Sequence, residues 1–148
     1  MKSNMDGINH INVYSKGKTP LGRFLSNFTK CELNTEDGRF NSIEGYWYWL
    51  GCQNRFGSDK LRDLCGFEAK RMGRHLGAAD WLPEGIFRQK IKKAIKNKIM
   101  WSDYWIDFIN STLPFTHYYE YGDKVIQVPS SKWIIEYLEE LRSQYAVR

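Results

Sequence analysis

The stretch SIEGYWYWLG, residues 42–51, sets one carboxylate, Glu44, ahead of four consecutive aromatic residues, Tyr46, Trp47, Tyr48 and Trp49. A half-buried strand would alternate its rings with polar residues. A simple amphipathic helix would not need so many rings in a row. Ser42 is suited to cap a helix that begins at Ile43. Helical spacing then groups Glu44 with Trp47 and Tyr48, and Tyr46 with Trp49 and Leu50. Glu44 falls in the first turn, where the helix dipole favours its ionised form. Gly45 weakens the helix by about 1 kcal/mol relative to Ala. It either leaves room for a ligand beside Glu44 or makes a close packing contact.

Before this helix, INVYS (11–15) alternates like a short strand, and KGKTPLG (16–22) reads as a loop. Asp37-Gly38 signals a hairpin between Cys31–Leu33 and Arg39–Phe40. After it, GFEAKRMGRHLG (66–77) reads as a helix ending near Gly77. Ala69, Met72, Gly73 and Leu76 form its apolar stripe, with Lys70, Arg71 and Arg74 on the other side. PEGIFRQKIKKAIKNKIM (83–100) is a basic amphipathic helix with Pro83 at its start. Phe87, Ile91, Ala94, Ile95 and Ile99 face inward there, and Arg88, Lys90, Lys92, Lys93, Lys96 and Lys98 fill the rest. A short helix follows in SDYWIDFIN (102–110). THYYEYGDKVIQV (116–128) is a hairpin turning at Gly122-Asp123. Ser130 or Ser131 caps a last helix whose stripe is Ile134, Tyr137, Leu138, Leu141 and Tyr145. The expected fold is α+β, one compact domain over 1–148, mostly helical with short strands and a C-terminal hairpin.

The chain has 148 residues, enough for one domain with a real core. A net charge of +5 favours a polyanionic partner or a phosphate-bearing ligand. Cys31, Cys52 and Cys65 are odd in number and widely spaced, which suits reduced thiols in the cytoplasm. His10, His75 and His117 are scattered and suggest no metal site. No apolar run approaches the ~20 residues of a membrane span. MKSNMDGINH lacks the apolar core of a signal peptide. A cytoplasmic protein is expected, with a monomer favoured.

Four blocks in order carry a family resemblance: VYS (13–15), GRFLSNF (22–28), SIEGYWYWL (42–50) and FEAKRMGRHL (67–76), with Trp81 in ADWL. Their succession resembles the NADAR family, also called YbiA-like. The resemblance implies hydrolysis of N-glycosidic bonds to ribose with no cofactor and no metal. One branch of the family removes ADP-ribose from guanine bases in DNA, countering DNA-modifying toxins. Another cleaves phosphorylated ribosylamino intermediates of riboflavin synthesis. Here EGYWYW replaces that second branch's Glu-His-Tyr-Phe-Gln form. Its Asp-x-x-Trp-Gly segment and Gly-rich tail are also replaced, by LPFTHYYEYGDKVIQVPSSKWIIEYLEELR (113–142). The chain therefore looks more like the guanine branch, with an antitoxin-like role in phage or bacterial defence. In a phage protein the setting is the host cytoplasm. A non-catalytic module that binds ADP-ribose is the remaining alternative.

Breaking a ribose–nitrogen bond builds positive charge at the anomeric carbon, which a carboxylate can stabilise while it orients water. Glu44 is the candidate. Trp47 or Tyr48 lies beside it in this reading and stacks on a base, while Trp49 and Leu50 enter the core. Arg23, Ser26, Asn27 and Phe28 form a second wall, with hydrogen bonds from Ser and Asn and a stacking face from Phe28. Lys70, Arg71 and Arg74 meet a pyrophosphate. Lys70 could instead act as a catalytic amine, forming a Schiff base with an opened ribose. Trp81 caps the site or packs at a helix start. Arg88, Lys92 and Lys96 offer a track for a DNA backbone, or else a solvated face. His117, Tyr118, Tyr119 and Tyr121 are held in reserve as base contacts. The partner implied is ADP-ribosylated DNA, or ADP-ribose itself.

Overall fold

The computed structural model describes residues 2–146. In chain order its elements are β1 (Ile11–Asn12), α1 (Pro20–Leu25), β2 (Leu33–Thr35), β3 (Gly38–Phe40), α2 (Ile43–Leu50), α3 (Gly66–His75), α4 (Glu84–Met100), α5 (Trp105–Asn110), β4 (Phe115–Thr116), β5 (Tyr118–Tyr121), β6 (Lys124–Gln127) and α6 (Lys132–Tyr145), with short 3-10 turns between some of them. The fold is α+β and richer in helix than in strand. Two compact units carry these elements. Asn27–Trp101 is the central one, and the flanks before and after it form the other.

In the central unit α2 is the buried axis. Ser42 is fully buried and caps it as expected: its hydroxyl accepts from the Gly45 N–H and donates to the Leu64 carbonyl, both at 2.9 Å. Ile43, Tyr46 and Leu50 have no exposure. Tyr46 and Leu50 thus take the core positions. Trp49 stays at the edge, donating its indole N–H to Asp59 at 3.3 Å. The Arg62 guanidinium lies over both Trp49 and Phe40, 4.8 and 4.5 Å from the ring centres.

The β2–β3 hairpin forms one residue earlier than the Asp37-Gly38 signal implied. Thr35 pairs with Gly38, so Glu36 and Asp37 make the turn. The Thr35 hydroxyl stabilises it, accepting from the Asp37 N–H and donating to the Gly38 carbonyl. Gly38 is needed in the strand because its φ is +108° and a Cβ would lie 2.7 Å from Arg62.

α3 ends at His75, with Gly77 at φ +70° closing it. α4 packs on β2 and α2. Its buried face holds Ile91, Ala94, Ile95 and Ile99, but also Lys98, which is only 4% exposed. The reading of Lys98 as part of a solvated basic face is therefore corrected. Burial lowers its pKa to about 8, against the opposing influence of the nearby Cys31 thiol. Phe87, expected in the core stripe, is half-buried and meets aromatic rings instead.

In the flanking unit β1 runs parallel to β4, with Ile11 opposite Phe115. β1 is shorter than INVYS suggested. Pro20–Leu25, expected to lie in a loop and an unassigned segment, forms α1, with Pro20 at its first position and the Thr19 hydroxyl accepting from the Gly22 N–H at 2.9 Å. The β5–β6 hairpin turns at Gly122-Asp123 as expected. α6 buries Ile134, Leu138 and Leu141, but Arg142 takes the place expected of Tyr137 and Tyr145. Arg142 is tolerated inside because it donates to Ser111, to the Leu113 carbonyl and to Glu139 at 2.6–2.8 Å.

Candidate active site

The site is built where α2 and α3 pack against each other. One dipeptide ties their beginnings together: the Asn27 carbonyl accepts from the Glu44 N–H at 3.0 Å, and the Phe28 carbonyl from the Gly66 N–H at 3.1 Å. Further along, Tyr48 packs directly against Gly73. A Cβ at position 73 would come within 2.3 Å of the Tyr48 ring, so only glycine permits this approach.

Glu44 is half-buried, and its carboxylate makes no hydrogen bond or ion pair within 4.0 Å among the described residues. Burial pushes its pKa up to about 7, although Lys70 and Arg74 on α3 both act to lower it. Dehydration outweighs both cations, so Glu44 holds its proton more tightly than its first-turn position alone would suggest. Tyr48 also has a raised pKa, from burial first and from the Glu44 charge second. Arg74 opposes that shift and is placed to donate to the Tyr48 hydroxyl. Glu44, Tyr48, Lys70 and Arg74 therefore form one electrostatic cluster.

A wall of rings continues from Tyr48. Trp81 is 6.4 Å from Tyr48 and 5.8 Å from Phe87, and Phe87 meets Trp47 edge-on at 4.8 Å. Trp81 also lies across Gly51, where a Cβ would come within 2.6 Å of the indole. It is 44% exposed and so presents one face to solvent. Phe28 meets the exposed Phe67 edge-on at 5.0 Å. Phe67 and Phe87 were not among the expected site residues. Phe87 was hidden because its helical spacing fits a core stripe equally well.

The structure does not leave space at Gly45. Its missing side chain is replaced by the Leu61 carbonyl, 2.6 Å from where a Cβ would be. The ligand-binding role expected of Gly45 is withdrawn in favour of close packing. Asn27 and Phe28 contribute main-chain carbonyls at the helix starts. Arg23 and Ser26 belong to the flanking unit, where Arg23 donates to the Gly17 carbonyl at 2.9 Å and Ser26 is buried at the end of α1. On α4, Arg88 pairs with Glu84 at 2.6 Å, while Lys90 is held by Glu36 and Asp37, both at 2.9 Å. Lys92 and Lys96 are half-buried. The expected cationic track is thus partly consumed by ion pairs and burial. Even so, the central unit has 14 Lys and Arg against 9 Asp and Glu, while the flanking sequence has 8 of each. All the net positive charge lies in the unit that holds Glu44. An open cavity of about 710 Å³ beside Ser111, Glu139 and Arg142 contains none of the expected site residues.

No family model and no curated protein matches this sequence. Among solved structures, the NMR structure of the E. coli protein YbiA superposes with a TM-score of 0.68 at 19% identity, over 99% of this chain and 94% of that one. The chain has the YbiA fold. The fold expected from the four sequence blocks is the one observed. At this identity the likeness to YbiA speaks for the architecture, and the chemistry rests on the side chains themselves. No helix among the described residues is long and apolar enough to cross a membrane.

Proposed function

We propose that the protein is a single-domain N-glycosidase that releases ADP-ribose from guanine bases in DNA. The observation that carries this reading is Glu44: a carboxyl with no bonded partner among the described residues and a pKa of about 7, beside two cations and a wall of rings. A carboxyl poised near neutrality can both accept and return a proton at physiological pH.

In the reaction, the ribose–nitrogen bond breaks and its electron pair goes to the guanine nitrogen. Ionised Glu44 stabilises the positive charge left on the anomeric carbon. Water attacks that carbon, and its proton passes by way of Glu44 to the leaving nitrogen. Lys70 and Arg74 hold the pyrophosphate by charge-assisted hydrogen bonds. In holding an anion they also lose part of their influence on Glu44, which keeps its pKa high. Tyr48 and Trp81 supply faces for the adenine or the guanine. The covalent alternative assigns Lys70 to an opened ribose instead; a borohydride-trapped adduct lost in Lys70→Arg would support it.

The test is incubation of wild type and Glu44→Gln with ADP-ribosylated DNA, with released ADP-ribose measured by mass spectrometry. Wild type should release it and Glu44→Gln should not. Equal release would remove Glu44 from the mechanism. ADP-ribose binding without release by wild type would favour a binding module.

One observation favours a small substrate: Lys90 and Lys93 are engaged by Glu36 and Asp37, and Lys98 is inside, so α4 offers fewer cations to a polymer than its sequence suggests. A phosphorylated ribosylamine run beside the modified DNA decides between them by kcat/KM.

A further inference from the structure

The central unit presents a phenylalanine that the site does not use. Phe56 is 101% exposed, as open to water as in an extended peptide. It stands at the tip of a tight turn, Arg55–Phe56–Gly57–Ser58, closed by the Ser58 N–H donating to the Arg55 carbonyl at 3.2 Å. Gly57 at φ +86° supplies the left-handed position that such a turn requires.

The base of the turn is well anchored. The Arg55 N–H donates to the Cys52 carbonyl at 2.8 Å, the Arg55 side chain pairs with Asp80 at 3.1 Å, and Ser58 is buried. Asp80 is itself fixed, its N–H donating to the Gly51 carbonyl at 2.9 Å. Phe56 is therefore an apolar side chain held out into water by an ordered turn.

One cation lies directly on the turn. The Lys60 side chain runs along Gly57, and Leu76, just beyond the end of α3, lies on the same glycine. The last turn of α3 carries exposed Arg74 and His75, one turn on from exposed Arg71. Two acids of this region are occupied, Asp80 by Arg55 and Asp59 by Arg62 and Trp49. An apolar tip beside the Lys60 side chain, in the unit that carries all the net positive charge, suits duplex DNA, where phosphates meet cations and an apolar wedge enters between base pairs.

We propose that the Arg55–Ser58 turn is a duplex-DNA contact in which Phe56 enters a base step and unstacks it, while Lys60 and Arg71 meet the backbone. This rests on the DNA reading of the substrate. It adds to that reading a means of opening the duplex around a modified guanine so that the base can leave the stack. Phe56 buries nothing in the protein, so its replacement leaves the fold intact.

The test uses the full chain and an unmodified duplex containing 2-aminopurine, whose fluorescence rises on unstacking. Wild type should raise the fluorescence. Phe56→Ser should lose the rise and bind the duplex about tenfold more weakly, as expected for one lost stacking contact. Phe56→Trp should keep both properties, and single-stranded DNA should bind all three within twofold. No binding of the duplex by wild type would overturn the wedge. So would fluorescence and affinity unchanged in Phe56→Ser, or a change in self-association without one in DNA binding. Glu44→Gln separates this from the reaction: it should abolish ADP-ribose release and leave the fluorescence rise in place. Absent release with an intact Phe56-dependent rise would reject the reaction and retain the wedge.

Discussion

Asn12 in the flanking unit and Glu44 in the central one are both polar groups withdrawn from water, and their surroundings differ completely. Asn12 has no exposure. Its amide oxygen accepts from the Tyr118 N–H and the Thr116 hydroxyl, and its amide nitrogen donates to the Tyr118 carbonyl at 3.0 Å. His10 nearby bridges Asn9 and the Tyr118 hydroxyl, both at 2.6 Å. Asn9 Oδ1 can only accept, so the imidazole Nδ1 donates to it. The Glu44 carboxyl has neighbouring charges but no bonded partner among the described residues. Saturated buried polar groups hold a fold together, whereas one left unsaturated retains a reactivity that a substrate can complete.

The sharpest way to break this comparison is to change both residues. Glu44→Gln should lower kcat/KM for ADP-ribose release by roughly 10²–10⁴-fold, the usual scale for an acid–base group. It should not cost stability. A carboxyl whose pKa is raised in the folded state penalises folding, with no penalty below pH 4.5 and the full one above about 7. Glu44→Gln should therefore be more stable than wild type at pH 8, by at most about 3 kcal/mol. Denaturant titration at pH 8 checks it; a destabilised variant would mean that Glu44 is structural.

Asn12→Ala should do the reverse. It leaves the Tyr118 N–H and carbonyl without their buried partner, at a cost of about 3 kcal/mol. The fraction that remains folded should keep its kcat within a few fold of wild type. A smaller effect is expected from Gly73→Ala, whose methyl group would strike the Tyr48 ring. Overpacking of this kind costs about 1–3 kcal/mol, offset in part by the better helix propensity of Ala. Its diagnostic sign is a fall in activity beyond the fall in folded fraction, because Tyr48 and Arg74 would shift together.

The smallest effect is a divergence with pH. His10 and His117 both have lowered pKa values through burial, despite the influences of Asp6 and of the Val13 carbonyl that act to raise them. The unfolded chain then binds protons more readily below about pH 6.5, and the flanking unit loses protection as pH falls. The Glu44 penalty is relieved over the same descent. Hydrogen exchange across pH 7.5 to 5.5, corrected for intrinsic rates, should show protection falling around Tyr118 and rising at the start of α2.

Much of this could be read in the chain. Ser42 followed by an aromatic run fixed α2 because a cap and a period are local signals, and Gly122-Asp123 placed the last hairpin for the same reason. α1 escaped because six residues after a Pro and Gly-rich segment carry too little periodicity. Lys98 and Arg142 were misplaced because pattern reading sends cations outward, and only a tertiary partner reverses that. In the site, Glu44, Lys70, Tyr48 and Arg74 were named in advance. The filling of Gly45 by the Leu61 carbonyl was not visible, because a 3-10 segment sixteen residues away supplies it.

The dipeptide at the helix starts has one more consequence. The Glu44 and Gly45 amides are already committed, to the Asn27 carbonyl and the Ser42 hydroxyl. A phosphate cannot be held by those amides without unmaking α2. At the start of α2, negative charge on a ligand must then be recognised by movable side-chain cations rather than by fixed backbone. Such a site can be retuned for a different anion one substitution at a time, with its scaffold untouched.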